Sequence, residues 1–151
     1  MARNIILLDT GPLVDALARD DSAHAWAKEQ FETLAGPFLT CEAVITEACH
    51  LLRTAERESS GVLRLLESGA LRLGMDLAEA SAVRKLLERY RSVPAALADA
   101  CLVRMSELYD SCTILTLDSD FHIYRRHGRK VIPLLHPDSS VLNPKSSYRI
   151  V

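Results

Sequence analysis

Apolar residues are distributed along this chain in two ways: short continuous runs, and longer stretches where they recur every three or four positions. Ile5-Ile6-Leu7-Leu8 is a run of the first kind, ended by Asp9, Thr10, Gly11 and Pro12, and it predicts a short buried strand. Residues 113–117 form a second such run, again followed by acids, Asp118 and Asp120, and residues 131–135 form a third. Residues 38–39 read as a very short strand or a loop, and 70–73 read weakly as a strand. Pro12 suits the first turn of a helix. Helical spacing resumes at Ser22, a candidate N-cap, with Ala23, Trp26, Ala27, Phe31 and Leu34 on one face until Gly36-Pro37. Thr40 is the next candidate cap, before a helix through Val44, Ile45, Ala48, Leu51 and Leu52, and a shorter helical piece covers 61–66. Leu77, Ala80, Val83, Leu87 and Tyr90 then repeat at helical spacing with Arg84, Lys85, Glu88 and Arg89 outside. The stretch 94–109 differs, because its first half is apolar all round and predicts a buried helix.

Strands alternating with helical stretches imply crossover connections, so the expected class is α/β, a central mostly parallel β-sheet flanked by α-helices. A length of 151 residues suits one domain, expected over 1–135, with 136–151 as a C-terminal surface tail holding two prolines and several serines. The apolar content of 48% argues against disorder. Twenty acids against eighteen bases give a net charge of -2, which offers no global attraction to a polyanion; a nucleic-acid partner would need a local basic patch. Cys41, Cys49, Cys101 and Cys112 form no C-x-x-C pair and read as reduced core residues. The first apolar run is too short for a signal peptide and no segment has membrane-spanning length, so the expected location is cytoplasmic, with no membrane partner.

Several carboxylates stand where solvated charges do not belong. Asp9 and the pair Asp118 and Asp120 follow strands, and in a parallel sheet both positions fall at the carboxyl edge, where open α/β folds bind ligands. Glu47 lies within Ala43-Val44-Ile45-Thr46-Glu47-Ala48-Cys49, and Asp99 is the one polar side chain between Val93 and Val103. Each alone is equally well a turn cap or an arginine partner. Together they would repel one another, and a divalent cation removes both the repulsion and the desolvation penalty. All-oxygen ligation selects Mg²⁺ or Mn²⁺.

Leu8-Asp9-Thr10-Gly11-Pro12-Leu13, Thr46-Glu47-Ala48, Leu97-Ala98-Asp99-Ala100 and Leu115-Thr116-Leu117-Asp118-Ser119-Asp120-Phe121 resemble, in order and spacing, the acidic motifs of PIN-domain ribonucleases, especially VapC-like toxins. The resemblance covers nearly the whole chain. It implies a PIN-like fold and metal-dependent endoribonuclease activity with Mg²⁺ or Mn²⁺, leaving a 5′-phosphate and a 3′-hydroxyl. It also implies Asp9, Glu47, Asp99 and Asp118 as catalytic and metal-binding acids, Asp120 as an auxiliary acid, and Thr10 and Thr116 near the site. A small antitoxin protein and a homodimer are the partners it implies beside RNA.

Arg125, Arg126, Arg129 and Lys130 follow Asp120 and are candidate RNA-phosphate contacts, equally well solvated surface. Arg84, Lys85, Arg89 and Arg91 form a second basic group, better read as the polar face of its helix. Glu47-x-x-His50 occurs once, whereas di-iron bundles need two copies, so His50 reads as a surface or satisfied histidine. His122 and His127 are assigned no metal. A haloacid-dehalogenase-like phosphatase would want an acid where Gly11 stands, and a receiver-like domain rests on fold alone. The alternative function is a PIN-like protein-binding module with little or no nuclease activity, using the stripe Leu13, Leu17, Trp26 and Phe31.

Overall fold

A computed structural model of the chain describes residues 3–18 and 23–138. The candidate cap Ser22 and the tail beyond residue 138 lie outside the described residues. In chain order the elements are β1 (Ile5–Leu8), α1 (Thr10–Leu17), α2 (His24–Thr33), β2 (Phe38–Thr40), α3 (Glu42–Thr54), α4 (Ser60–Ser68), β3 (Leu71–Leu73), α5 (Ala80–Arg89) and α6 (Leu97–Leu108). They continue with β4 (Cys112–Leu115), β5 (Arg125–Arg126), β6 (Lys130–Val131) and β7 (Leu134–Leu135). Single 3-10 turns at Leu77–Glu79 and Ser119–His122 precede α5 and follow β4.

Five strands form one parallel sheet in the order β3-β2-β1-β4-β7, and β5 pairs with β6 as a separate antiparallel hairpin. The α/β class and the parallel central sheet expected from the sequence are those observed. β1 lies at the centre, with Ile5 opposite Cys112 through to Leu8 opposite Leu115 on one side and Ile6 opposite Phe38 on the other. From β1 the chain winds outward through β2 and β3, then crosses back to place β4 on the opposite side of β1. The winding direction therefore reverses between β1 and β4, and such a switch point leaves a crevice beyond the carboxyl ends of the two strands.

Leu7, Leu8, Ile114 and Leu115 are completely buried, as expected of strands covered on both faces. α6 is the buried helix: Ala98, Ala100, Cys101, Leu102, Val103 and Met105 are all in the core, with contacts to α3, α5, β1 and β4. It starts at Leu97, later than the apolar pattern suggested, because the Asp99 side chain accepts from the Ala96 amide (2.9 Å) and fixes the first turn there.

Two local expectations are corrected. Thr40 does not cap α3; its hydroxyl, buried in β2, donates to the Leu8 carbonyl at 2.8 Å, and Cys41 takes the cap position without a side-chain bond. Residues 131–135 are two strands, because Pro133 has no amide to continue a ladder; Val131 belongs to the hairpin and Leu134 pairs with Ile114. His136, the first residue after β7, is buried and joins the Leu117 carbonyl through Nε2 at 3.1 Å.

Gly74 closes the turn after β3, its amide donating to the Thr40 carbonyl and its own carbonyl accepting from the Tyr109 hydroxyl at 2.5 Å. A Cβ here would lie 2.9 Å from Met105 Cε and 3.2 Å from Leu39 Cβ. Met105 is wholly buried and has little space into which to swing. Gly74→Ala should therefore destabilise the fold by about 1–3 kcal/mol, read as a lower urea midpoint with unchanged m-value.

Candidate active site

The acids reach one place by four routes. Asp9 follows β1 and caps α1, its Oδ1 accepting from the Thr10 amide at 2.8 Å. Asp118 follows β4 and caps the 3-10 turn, its Oδ1 accepting from the Asp120 amide at 2.9 Å. The parallel pairing of β1 with β4 sets these two strand ends side by side. Glu47 comes from the second turn of α3 and Asp99 from the first turn of α6, and those helices pack against each other.

Two threonines tie the group together. The Thr116 hydroxyl, fully buried, donates to Asp9 Oδ2 at 2.6 Å and accepts from the Asp118 amide at 2.9 Å. The Thr10 hydroxyl donates to Glu47 Oε2 at 2.9 Å. Thr10 and Thr116 are thus each hydrogen-bonded to one of these acids.

The electrostatics are those of crowded like charges. Asp9 is 6% exposed, and its carboxyl is pushed up from 3.8 to about 7, chiefly by burial, against the hydrogen bonds from Thr116 and Thr10, with Asp99 and Asp118 pushing further. Asp99 is also raised, first by burial and then by Asp118, Glu47 and Asp120. Among the described residues no Lys or Arg forms an ion pair with Asp9, Glu47, Asp99, Asp118 or Asp120. Among the described residues, then, no arginine partners Glu47 or Asp99, whereas capping accounts for part of what Asp9, Asp99 and Asp118 do.

As the side chains stand, no three His, Cys, Asp or Glu among the described residues form a closed metal-binding cluster. The donor set nevertheless suits a hard divalent cation: carboxylate oxygens from several elements, mutually repelling, without a cationic neighbour. A cation here would relieve the repulsion that raises Asp9 and Asp99.

The basic group divides. Arg126 is buried, and its Nη2 donates to the carbonyls of Tyr109 and Asp110 beyond the end of α6. That guanidinium is spent on backbone and does not face solvent, which removes Arg126 from the candidate RNA contacts. Arg125 turns its Nη1 onto the carbonyls of His122, Ile123 and Tyr124. Arg129 and Lys130 are exposed around the hairpin turn, as are Arg84, Lys85, Arg89 and Arg91. Arg84 pairs with Glu88 at 2.7 Å, and Arg89 donates to the Gly128 carbonyl. His50 is exposed, as expected.

Tyr124 escaped the sequence reading. It is completely buried, stacks edge-on against Tyr90 and Phe121 at 4.9 and 5.2 Å, and its hydroxyl reaches Asp99 Oδ2 at 3.5 Å. Burial, then the negative charges of Asp99, Asp120 and Asp118, raise its pKa. Tyr124 therefore stays neutral and able to donate to the acid. Its only sequence signal was an aromatic residue shortly after Asp120, which does not distinguish it from ordinary core.

With this geometry established, comparison gives the family. The PIN domain model matches residues 6–126, and the chain belongs to the PIN domain family. Among solved structures, the Mycobacterium tuberculosis toxin VapC20, described as cleaving the sarcin-ricin loop, has the same fold. Its TM-score is 0.68 at 18% identity, over 76% of this chain and 91% of that one. No curated protein sequence matches the chain significantly.

Because the Asp9 carboxyl rises from 3.8 to about 7 on folding, the folded protein holds a proton that the unfolded chain has released across that interval. In chelator, its contribution to stability is whole below a pH of about 4 and is lost as pH rises through about 7. Asp9→Asn should flatten that decline and leave the variant more stable than the parent above neutrality, measured as denaturation midpoints between these limits.

Proposed function

We propose that the protein is an endoribonuclease that hydrolyses RNA phosphodiester bonds at the acidic edge and depends on Mg²⁺ or Mn²⁺. In this reading it is the toxin of a toxin-antitoxin pair. The observation that carries the proposal is the convergence of Asp9, Glu47, Asp99 and Asp118 at the β1–β4 switch point, with no Lys or Arg paired to them among the described residues. Membership of the PIN family and a shared fold with an RNA-cleaving toxin support it.

Asp9 and Asp99 are the residues proposed to hold the ion most directly, with Glu47 and Asp118 binding it or orienting the attacking water. A bound divalent ion would neutralise charge on the phosphoryl oxygens and ease deprotonation of water. The chain's own part is positioning. Thr116 fixes the Asp9 carboxylate and the Asp118 backbone through a single hydroxyl, Thr10 fixes Glu47, and the Ala96 amide and Tyr124 fix Asp99. Asp120, through its amide, anchors the Asp118 side chain. Arg129 and Lys130 remain candidates to hold flanking phosphates.

A groove of about 250 Å³ between α1, α2 and α4, lined by Leu13, Ala16, Leu17, Phe31 and Leu65 together with Lys28 and Glu32, suits an amphipathic segment of a small antitoxin. Trp26 of the expected stripe is instead core, 4% exposed. The protein is proposed to act in the cytoplasm as a homodimer. Among the described residues no helix is long and apolar enough to cross a membrane.

The decisive experiment pairs two readouts on Asp99→Asn. Removing one of the mutually repelling charges should raise the melting temperature in EDTA, while stabilisation by Mn²⁺ is lost. RNA cleavage should fall by at least roughly a hundredfold. Unchanged melting with cleavage intact would sink the shared site. If the parent cuts no RNA with Mg²⁺ or Mn²⁺ but binds a partner through the groove, the protein is a binding module.

A further inference from the structure

The two basic groups lie far apart in the sequence and meet in the fold. The β5–β6 hairpin turns through left-handed backbone at His127 and Gly128 (φ 51° and 82°), and the Gly128 carbonyl accepts from the Arg89 guanidinium at the end of α5. The Tyr90 hydroxyl accepts from the Arg125 amide at 2.9 Å, a second tie across the same seam. Arg89 Cζ stands 5.2 Å from the centroid of the Tyr90 ring, a cation–π contact that holds its charge in place. Lys85, Arg89 and Arg91 are exposed on one side of the seam, Arg129 and Lys130 on the other. The neighbouring acids are engaged elsewhere: Glu88 with Arg84 at 2.7 Å, and Glu107 with Arg104 at 3.3 Å and the His127 amide at 2.8 Å. Among the described residues Lys85, Arg89, Arg91, Arg129 and Lys130 form no ion pair. A chain of net charge -2 thus carries a local field of the opposite sign. That field borders the acidic edge, because the Tyr90 ring lies 4.9 Å from Tyr124, whose hydroxyl reaches Asp99 Oδ2 at 3.5 Å.

We propose that Lys85, Arg89 and Arg91, joined to Arg129 and Lys130 by the Arg89–Gly128 contact, form one surface that binds the sugar-phosphate backbone of RNA beside the acidic edge. The choice of RNA as the polyanion rests on the ribonuclease reading above, but binding here does not depend on cleavage. Exposed Lys and Arg side chains meet phosphates and release condensed counterions, which gives affinity without sequence information. The aromatic rings beneath the surface, Tyr90 and Tyr124, are buried and cannot stack with a base, so the surface positions RNA and does not read it. The hairpin thereby does more than extend the chain: tied to α5 through Gly128, it brings two cations to a helix face that alone carries three.

The test follows binding of a fluorescein-labelled RNA hairpin to the full chain by anisotropy, in EDTA, across a series of salt concentrations. Lys85→Ala with Arg91→Ala, and separately Arg129→Ala with Lys130→Ala, should each weaken binding. Each pair should also make the logarithmic salt dependence shallower by roughly 0.7–0.9 per cation removed, equally for a hairpin of unrelated sequence. Arg53→Ala with Arg64→Ala removes the same charge from exposed positions on α3 and α4 and should leave the slope unchanged. Arg89 is kept because it also holds the hairpin, and either surface pair decides alone should the other fail to fold. The proposal is overturned if the parent binds no RNA at low salt, if it prefers polyglutamate to the hairpin, or if the α3–α4 pair costs as much as the surface pairs. Cleavage with Mn²⁺ is read on the same proteins: binding that follows the surface cations in a parent that cuts nothing removes the nuclease and keeps the surface, whereas intact cleavage with binding indifferent to these cations does the reverse.

Discussion

The parallel ladder between β1 and β4 places the Thr116 hydroxyl against Asp9, and the charged edge is built outward from that contact. One oxygen gives its proton to a carboxylate on the neighbouring strand and receives an amide proton from the loop carrying the next acid. A side chain with two hydrogen-bonding roles is thereby saturated within a fully buried site. Replace it with valine, and Asp9 would keep only the Thr10 amide while the Asp118 amide would lose its acceptor. Local capping and distant strand pairing are thus one network.

That network explains how mutually repelling acids persist in a small domain. Each carboxylate of Asp9, Asp99 and Asp118 accepts at least one backbone amide; in Asp9 and Asp99 that bond favours the charged form, while burial and the neighbouring acids oppose it. Asp9 shows the balance most clearly, because two hydrogen bonds leave its carboxyl still near neutrality. The stability forgone here is the kind of local conflict expected at a functional site in an otherwise consistent fold.

Much of this was legible in the sequence. Strands ending in acids and an all-apolar helix bearing one aspartate are features of pattern, and the structure returns both in place: Asp9 after β1, Asp118 after β4, Asp99 on the buried α6. Register was not legible, since nothing local says that Leu8 lies opposite Leu115. The basic run after Asp120 misled because charge in a sequence carries no direction. Arg126 and Arg129 read alike, yet one is turned inward to hold backbone carbonyls and the other remains exposed. Tyr124 was hidden for the converse reason, an aromatic side chain in the core being ordinary until its hydroxyl is seen beside Asp99.

His136 carries the packed structure past the end of β7. Its ring joins the Leu117 carbonyl, accepts the Asp138 amide through Nδ1 at 3.0 Å, and lies 5.1 Å from the His122 ring. The first of these links ties the ring to the residue directly before Asp118. A fragment stopped at Leu135 would keep Asp9, Glu47, Asp99 and Asp118, yet lose the hydrogen bond to the Leu117 carbonyl beside the last of these. Residues 136–138 thus join the end of the sheet at β7 to the loop that carries Asp118.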